Sequence, residues 1–414
     1  MKRTTLLTAA IAAALGTTPA LAGDAETLRA MKAQMAEMQR QIEAMEARLE
    51  EQETKQDKVA TQVAQQEKKY PGLGKAVQVY GQARVSADFT DNDVGSDGEE
   101  IVSNASRIGV QGEMDTTIAG TAVFYRAELR YETTDEVNGD DTNFADIDGD
   151  GDLDPVGEDG GDSKELEFRE GFAGLKGGWG KLRVGRLSTE YKKTGTTIDP
   201  WTDNAPQGRG GGRQGMSEMH SSYFNNAIDY VTPKFAGGFT ANAWYSTRFD
   251  NSSKNLHNAG ALTNFKGGDA GGIGVKYASG PLFVGVDWVD IDADSIAGGG
   301  VSNDSAWQIG ARYKVMDNLS FAALYEDSED LGLGENWYVN GIYRVGNTRL
   351  IAAYGQSNDR VANGNNDWDN WSIGAKYDLT KKSELLVAWN RRQDDTNDND
   401  FDTLTVGINA KFGY

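Results

Sequence analysis

The feature that most constrains this chain is an alternation of apolar and polar side chains with a period of two, which recurs from residue 77 to the C-terminus. The first segment places on one face Val77, Val79, Ala83, Val85 and Ala87, and on the other Gln78, Tyr80, Gln82, Arg84, Ser86 and Asp88. The last segment, TLTVGINAKFGY, alternates in the same way and ends at Tyr414. A period of two predicts β-strands whose two faces meet different surroundings.

Similar segments occur sixteen times, and the connections between them alternate in length. The short connections are 116–120, 177–180, 232–238, 278–281, 315–318, 345–347 and 378–382. The long ones are 89–105, 133–164, 188–220, 249–270, 291–305, 327–335, 356–369 and 392–400. An even number of strands with one short-turn rim and one long-loop rim is typical of an up-and-down barrel.

The apolar faces indicate which medium surrounds this barrel. Aromatic residues concentrate near the strand ends, at Tyr125, Tyr131, Tyr230, Tyr277, Trp288, Trp307, Tyr313, Tyr325, Trp337, Tyr343, Trp371, Tyr377, Trp389, Phe412 and Tyr414. Aromatic girdles around an aliphatic belt are expected where a barrel crosses lipid, whereas aromatics that fill an ordinary core need not collect at strand ends. We therefore expect an all-β fold, a sixteen-stranded antiparallel transmembrane barrel over residues 77–414.

Two different segments precede the barrel. Residues 1–22 have a basic start, a short apolar core and a terminal ALA, as in a secretory signal. Residues 23–70 predict an α-helical coiled coil, because a and d positions repeat without a slip at Leu28, Met31, Met35, Met38, Ile42, Met45, Leu49, Gln52, Gln56, Val59 and Val63. A linker at 71–76 follows. The coiled coil predicts association of identical chains.

Composition excludes several classes of function. The formal net charge is −22, which argues against nucleic acid as a partner. Cysteine is absent and there are only two histidines, His220 and His257, so cysteine nucleophiles and zinc-thiolate sites are excluded and a histidine-based catalytic centre is disfavoured. We expect a protein that is not an enzyme and that carries no cofactor.

Several motifs in order resemble those of Gram-negative outer-membrane porins from about Val77 to Tyr414. They are SRIGVQGE at 106–113, the hairpin FREGFAGLKGGWGKLRVGRL at 168–187 and FNNAIDYVTP at 224–233. The N-terminal extension is similar to that of the DcaP-like trimeric porins. The arginine often placed ahead of the third motif is missing here, and Tyr414 stands where the family more often has Phe.

This resemblance implies a function. The chain would be a homotrimer in outer-membrane lipid, with its coiled coil in the periplasm, and would pass small hydrophilic solutes and ions through a water-filled channel. A preference for anionic or dicarboxylate solutes is a further expectation. Insertion would use the barrel-assembly machinery, with Phe412 and Tyr414 as the assembly signal. The alternative is a structural tether that joins the membrane to the cell wall through the coiled coil.

The alternation and the resemblance together predict the pore-lining residues. Inward parity on the first five strands selects Arg84, Arg107, Arg126, Arg130, Arg169 and Arg183. The family folds the loop after strand five, here residues 188–220, into the lumen as a constriction. Its charged candidates are Asp199, Asp203, Arg209, Arg213 and Glu218. Acid on the loop opposite base on the wall predicts a transverse field, although pairing of the wall arginines with Glu128 and Glu132 is the plainer alternative.

Two further predictions concern charged residues elsewhere. Loop 146–158 resembles the first nine positions of a calcium loop, with candidate ligands Asp146, Asp148, Asp150, Asp152 and Asp154, but position 12 is Gly157. A structural calcium ion there competes with a merely solvated acidic loop. Outward parity also pairs Phe172 with Val184, Gly174 with Leu182 and Glu170 with Arg186. Because charges facing lipid are costly, the last pair predicts a subunit interface.

Overall fold

The barrel is described here from a computed structural model. The residues that it describes are 73–93, 98–133, 144–145, 154–155, 166–209, 214–247, 268–296, 300–359, 367–396 and 399–413. The predicted signal, the predicted coiled coil and Asp146 to Asp152 of the candidate calcium loop lie outside these residues, as do Arg213 and Tyr414. No helix among the described residues is long and apolar enough to cross a membrane.

Regular structure in this part of the chain consists of strands with a few short helices. The strands are β1 Gln78–Asn92, β2 Gly98–Ser103, β3 Arg107–Asp115, β4 Thr121–Tyr131, β5 Phe144–Ala145, β6 Asp154–Pro155, β7 Leu166–Gly177, β8 Gly180–Leu187, β9 Phe224–Val231, β10 Phe239–Ser246, β11 Asp269–Ser279, β12 Leu282–Ile296, β13 Gly300–Met316, β14 Leu319–Ser328, β15 Gly334–Val345, β16 Thr348–Asn358, β17 Trp368–Asp378, β18 Ser383–Asp394 and β19 Asn399–Phe412. The helices are α1 Leu73–Ala76, α2 Glu190–Ile198 and a 3₁₀ turn Glu218–His220. Strands β5 and β6 pair only with each other.

The other 17 strands form one closed antiparallel sheet. Strand β19 pairs with β1 from Gly81 opposite Phe412 to Asn92 opposite Phe401, which joins the two ends of the sheet. Strands β2 and β3 both pair with β1 and together fill one position, so the barrel wall has sixteen positions. The predicted fold class is confirmed. Closure matters because lipid offers no hydrogen-bonding partner to an open sheet edge.

The alternation along each strand separates a polar interior from an apolar exterior. In β19, Thr405 is 0% exposed and points inward, whereas its neighbour Val406 is 48% exposed and points outward. The large exposed side chains of the wall are predominantly apolar, while buried wall positions carry Ser, Thr, Asn, Gln and charged groups. This distribution is the reverse of a soluble barrel with an apolar core and fits lipid outside and water inside.

Aromatic residues form a row on the outer surface near the long-loop end. The row crosses seven adjacent strands through Trp288, Trp307, Tyr325, Trp337, Tyr354, Trp371 and Trp389. Ring centroids lie 5.4 Å apart for Trp307 and Tyr325 and 4.2 Å apart for Tyr354 and Trp371. Near the short turns, Tyr277, Tyr313, Tyr343 and Tyr377 occupy the corresponding outward positions. The predicted aromatic bands are therefore present.

Apolar packing inside the barrel comes from the long loop between β8 and β9. Ile198, Trp201 and Met216 of this loop pack against a group of inward residues on β14 to β18, and Tyr191 and Met219 join a second group on β9 to β13. Burial of these side chains excludes water from one half of the lumen and stabilises the loop there. The interior ion pairs of Arg107, Arg126, Arg130, Arg169 and Arg183 lie along β3 to β9, and further inward charged residues such as Lys376 and Glu384 lie on β17 and β18.

The structure contradicts one prediction, the outward position of Glu170. Glu128 lies opposite Glu170 and Leu129 opposite Phe168, so Arg169 is an extra residue in β7. Such a β-bulge shifts the parity of every later residue in the strand. Phe168 therefore faces outward, whereas Arg169 and Glu170 are both buried within the barrel.

The predicted register of the same hairpin is wrong by one residue. A two-residue turn places Gly177 opposite Gly180, and Arg186 then lies opposite Gly171 and not Glu170. Phe172 faces the interior and packs against the inner apolar group. The Arg186 guanidinium donates to the Arg169 carbonyl at 2.9 Å and to Asn225 at 2.6 Å. The two residues thus do not form the outward-facing pair that parity suggested.

Gly185 is the position at which this hairpin tolerates least change. Its φ is +145°, and an added Cβ would lie 2.1 Å from the Gly171 carbonyl oxygen. We expect Gly185→Ala to lower the free energy of unfolding by about 2 kcal/mol or more, from backbone strain and the clash. The urea midpoint of the detergent-solubilised protein, followed by tryptophan fluorescence, measures this loss. Gly178→Ala in the adjacent turn, where a Cβ meets nothing within 4 Å, is the control, and equal midpoints for the two variants would contradict the account.

Candidate pore constriction

The loop between β8 and β9 begins with helix α2, and its described residues, 188–209 and 214–220, lie inside the barrel. The Thr189 side chain caps this helix by accepting the Lys192 N–H at 3.4 Å. One face of the helix carries Tyr191, Thr194 and Ile198, which are buried against the wall, and the other carries Lys193 toward the channel. The local sequence therefore forms a short amphipathic helix, and its buried face packs against β12, β13 and β14.

Two carboxylates on the wall hold the loop through hydrogen bonds. Glu326 Oε1 accepts the Tyr191 hydroxyl at 2.7 Å, whereas Oε2 accepts the Ser217 N–H at 2.8 Å and lies 3.3 Å from His220 Nε2. Asp287 accepts the Thr194 hydroxyl at 2.6 Å. All these groups are buried, so loss of a partner would leave unsatisfied polar atoms in a site that water does not reach.

A turn in the middle of the loop is organised by Asp199. Its carboxylate accepts the Trp201 N–H at 2.8 Å, the Gly208 N–H at 3.2 Å and the Tyr338 hydroxyl at 3.3 Å. Burial raises the pKa of Asp199 above its ordinary value, while these donors oppose the shift. This predicted constriction residue therefore shapes the loop rather than facing the channel.

Asp203 brings the loop into contact with the basic wall. Its carboxylate lies 2.8 Å from Arg84 and 3.3 Å from Arg107, and it also pairs with Arg209 of the same loop. Burial alone would raise the pKa of Asp203, but Arg209, Arg84 and Arg107 hold it well below its ordinary value. The acid of the loop and the bases of the wall are therefore in direct ion pairs. The predicted transverse field would have required only that they face each other across water.

The wall arginines are paired with carboxylates in a connected ladder. Glu128 lies 3.1 Å from Arg169 and 3.7 Å from Arg107. Glu170 lies 3.1 Å from Arg126, and Asp229 lies 2.6 Å from Arg183. Arg130 pairs with Glu132 at 2.6 Å. All six predicted arginines therefore lie in the interior, and the alternative of pairing with Glu128 and Glu132 holds for three of them.

The ion pairs do not cancel the charge of the wall ladder and the loop, because bases outnumber acids there. Its acids are Glu128, Glu132, Glu170, Glu190, Asp203 and Asp229, with Asp199 and Glu218 of the loop, eight in all. Its bases are ten, Arg84, Arg107, Arg126, Arg130, Arg169, Arg183, Lys192, Lys193, Arg209 and Lys276. Among the described residues of the ladder and loop, with Lys276 of β11 included, basic side chains exceed acidic ones by two.

Two cavities flank the contact between loop and wall. The one nearer the short turns has a volume of about 580 Å³ and contains the side chains of Lys75, Arg126, Lys176, Lys181, Arg183 and Lys193 against Glu113, Glu170 and Glu190. The one nearer the long loops has a volume of about 410 Å³ and contains Arg130, Arg169, Lys192, Arg209 and Arg392 against Asp88, Glu100 and Asp203. Bases outnumber acids in both, so the path on either side of the contact is electropositive.

Sequence reasoning missed several residues of this site. Glu170 and Asp229 complete the ladder, and Glu326 and Asp287 anchor the loop, but parity alone gives no signal of these roles. Glu218 lies buried in the 3₁₀ turn and accepts the Ser222 hydroxyl through its carbonyl at 3.1 Å, which places it with the anchored part of the loop. Phe412 is exposed on the outer surface at the end of β19.

Comparisons with known proteins agree with this architecture. A sequence model of the Gram-negative porin family matches residues 58–400. The major outer membrane protein P.IB of Neisseria sicca is 30% identical over 259 residues, which cover 55% of this chain and 69% of that protein. The protein of the same name from Neisseria gonorrhoeae is 24% identical over 337 residues, 77% of this chain and 86% of its own.

Solved structures show the same fold. An anion-selective porin from Comamonas acidovorans superposes with a TM-score of 0.59 and 17% sequence identity, over 81% of this chain and 99% of that one.

The anchoring role of Glu326 can be tested by hydrogen exchange. In Glu326→Gln one oxygen becomes an NH₂ group that faces the donors of Tyr191 and Ser217, so the anchor weakens. We expect amide exchange over residues 190–198 to accelerate about tenfold, which corresponds to roughly 1.4 kcal/mol. Glu329→Gln, on the exposed connection after β14, is the matched control. Equal exchange of α2 in the two variants would show that Glu326 does not hold the loop.

Proposed function

The chain belongs to the Gram-negative porin family and is an outer-membrane porin, and from this premise we propose that its channel admits small hydrophilic solutes with a preference for anions. The observation that carries the preference is the excess of bases over acids in the two cavities beside the contact, six against three and five against three. The net charge of −22 belongs to the whole chain and does not describe the narrow part of the path.

Electrostatics favours local charge over total charge in such a pore. Charges in a narrow aqueous path with low-dielectric walls act on a passing ion at close range, while exposed charges more than about 10 Å away are largely screened at 0.1 M salt. Both cavities beside the contact contain more bases than acids. An anion therefore meets a favourable potential on each side of the constriction, and a dianion such as a dicarboxylate meets a stronger one.

The preference rests on the charges of this chain. The porin from Comamonas acidovorans that is described as anion-selective shares 17% of its residues with this chain, and that likeness supports the fold alone.

Selectivity can be tested in planar bilayers under a KCl gradient. We expect a reversal potential whose sign shows that chloride permeates more readily than potassium. This preference should be weaker at 1 M than at 0.1 M salt, because the Debye length falls from about 10 to about 3 Å. Arg130→Gln, which removes a charge from the 410 Å³ cavity, should shift the reversal potential toward potassium. Arg391→Gln, whose guanidinium pairs with Asp400 and Asp402 away from both cavities, should not. A potassium preference in the unmodified protein would refute the proposal.

We also propose that three identical chains assemble. The outer aromatic row lies on β12 to β18, whereas the exposed side chains of β1 to β8 include the aliphatic Val79, Ile108 and Val184 and, of the aromatic residues, Phe89 and Phe168. Aromatic girdles mark surfaces that meet the lipid interface, so the side without the row suits contact with a second barrel. The a and d seam predicted from Leu28 to Val63 would reinforce that assembly in the periplasm.

Assembly can be read from the channel itself. A trimer with one pore per chain predicts that single insertions close in three equal conductance steps at high voltage. Native mass spectrometry in detergent provides the independent measure, with three chains per particle expected. Single-step closure together with a one-chain mass would contradict the trimer and leave the porin function of the chain intact.

A further inference from the structure

Lys192 is a buried lysine on the channel side of the loop. It lies in the first turn of α2, is 5% exposed, and its side chain contributes to the 410 Å³ cavity together with Arg169 and Arg209. Neither the alternation of the strands nor the family motifs single it out. Its neighbour Lys193 has the same chemistry but points to the other cavity, so the two lysines form a natural comparison.

The surroundings of Lys192 offer it no carboxylate. Its Nζ donates to the Ser221 carbonyl at 2.9 Å and lies 3.6 Å from the centroid of the Tyr223 ring. Among the described residues, no Asp or Glu lies within salt-bridge distance of this amine. By contrast, Lys193 is 2.6 Å from Glu190.

The carboxylates whose charges act on Lys192 are Asp203 and Glu170, and arginines already engage both. Asp203 is bound by Arg84, Arg107 and Arg209. Glu170 is bound by Arg126 and Arg183. Arg169 also lies 5.4 Å from the Tyr223 ring, on which Lys192 packs. The wall of the cavity at this point therefore holds three adjacent bases, of which Arg169 and Arg209 are paired with carboxylates and Lys192 is not.

The cost of this arrangement appears in the titration of Lys192. Burial lowers the pKa of the amine well below its ordinary value, the charges of Arg209 and Arg169 lower it further, and those of Asp203 and Glu170 oppose the shift without reversing it. The surroundings therefore disfavour the charged amine, and a negative group placed beside it would favour the charged form. An anion that enters the cavity would supply that group.

We infer that Lys192, Arg169 and Arg209 form a binding subsite for a single oxyanion group, a carboxylate or a phosphate, on a small solute in transit. The inference rests on the proposed anion preference and goes beyond it, because a subsite makes passage saturable. A volume of about 410 Å³ lies at the lower end of the range of roughly 300–1,000 Å³ found for small-molecule pockets, so the solute is small. Of these three bases, Arg169 and Arg209 already pair with carboxylates, and Lys192 is the one that does not.

The test measures block of the chloride current by added anions in planar bilayers. Succinate and inorganic phosphate are the two probes, and succinamide is the neutral analogue of the first. We expect both anions to reduce the chloride current of the unmodified protein in a saturable way, and succinamide to have no such effect. The probe with the lower half-saturating concentration identifies whether carboxylate or phosphate is preferred.

Lys192→Met and Lys193→Met provide the matched comparison, since each removes one charge from the same helix. We expect at least a tenfold rise in the half-saturating concentration for Lys192→Met and less than a twofold change for Lys193→Met. Conductance of both variants in 1 M KCl checks that each still forms a channel.

Equal block in the two variants, or equal block by succinamide and succinate, would overturn the subsite. A chloride-selective reversal potential without saturable block would refute the subsite alone, whereas a potassium preference would refute the proposed function.

Discussion

Pairing between the first and last strands is the constraint on which the rest of the structure depends. A sheet in lipid cannot leave an edge unpaired, because the hydrocarbon offers no alternative hydrogen-bonding partner. Twelve successive residue pairs between β1 and β19, from Gly81 to Asn92, remove that edge. Once the sheet is closed, each strand has an inside and an outside, and the two-residue alternation follows. The apolar side chains then contact lipid on the outer surface, and the polar side chains face the interior.

Because the interior is polar, a second constraint is how much of the lumen is closed by protein and how much stays open to water and solutes. The loop from Ser188 to His220 fills one half with apolar packing and buried hydrogen bonds to Glu326 and Asp287. The other half holds a ladder of arginines and carboxylates that leaves an excess of positive charge. Division of the lumen into a dry half and a charged half therefore places the solute path beside the bases of β1 to β8.

The sequence predicts the parts of this structure that repeat, and it fails where a single residue breaks the repeat. The faces of β1 and β19 and the interior position of the six wall arginines follow from alternation, because closure enforces it on every strand. The extra residue at Arg169 cannot be read this way, since one bulge reverses the parity of everything after it, Glu170 included. Contacts of the loop are also beyond alternation. Asp203 pairs with Arg84 and Arg107 on distant strands, and Lys192 contacts Ser221 and Tyr223 where the loop ends, and no local period encodes those contacts.

The hydrogen bonds that Glu326 makes to the loop also bear on the order of assembly. Tyr191 and Glu326 are separated by 135 residues, and Ser217 and Glu326 by 109. The loop precedes β9 in the sequence, but the two carboxylates that hold it, Asp287 and Glu326, lie on β12 and β14. The loop therefore cannot take up its position on the wall until β12 and β14 are in place, and the calibre of the channel depends on the second half of the chain.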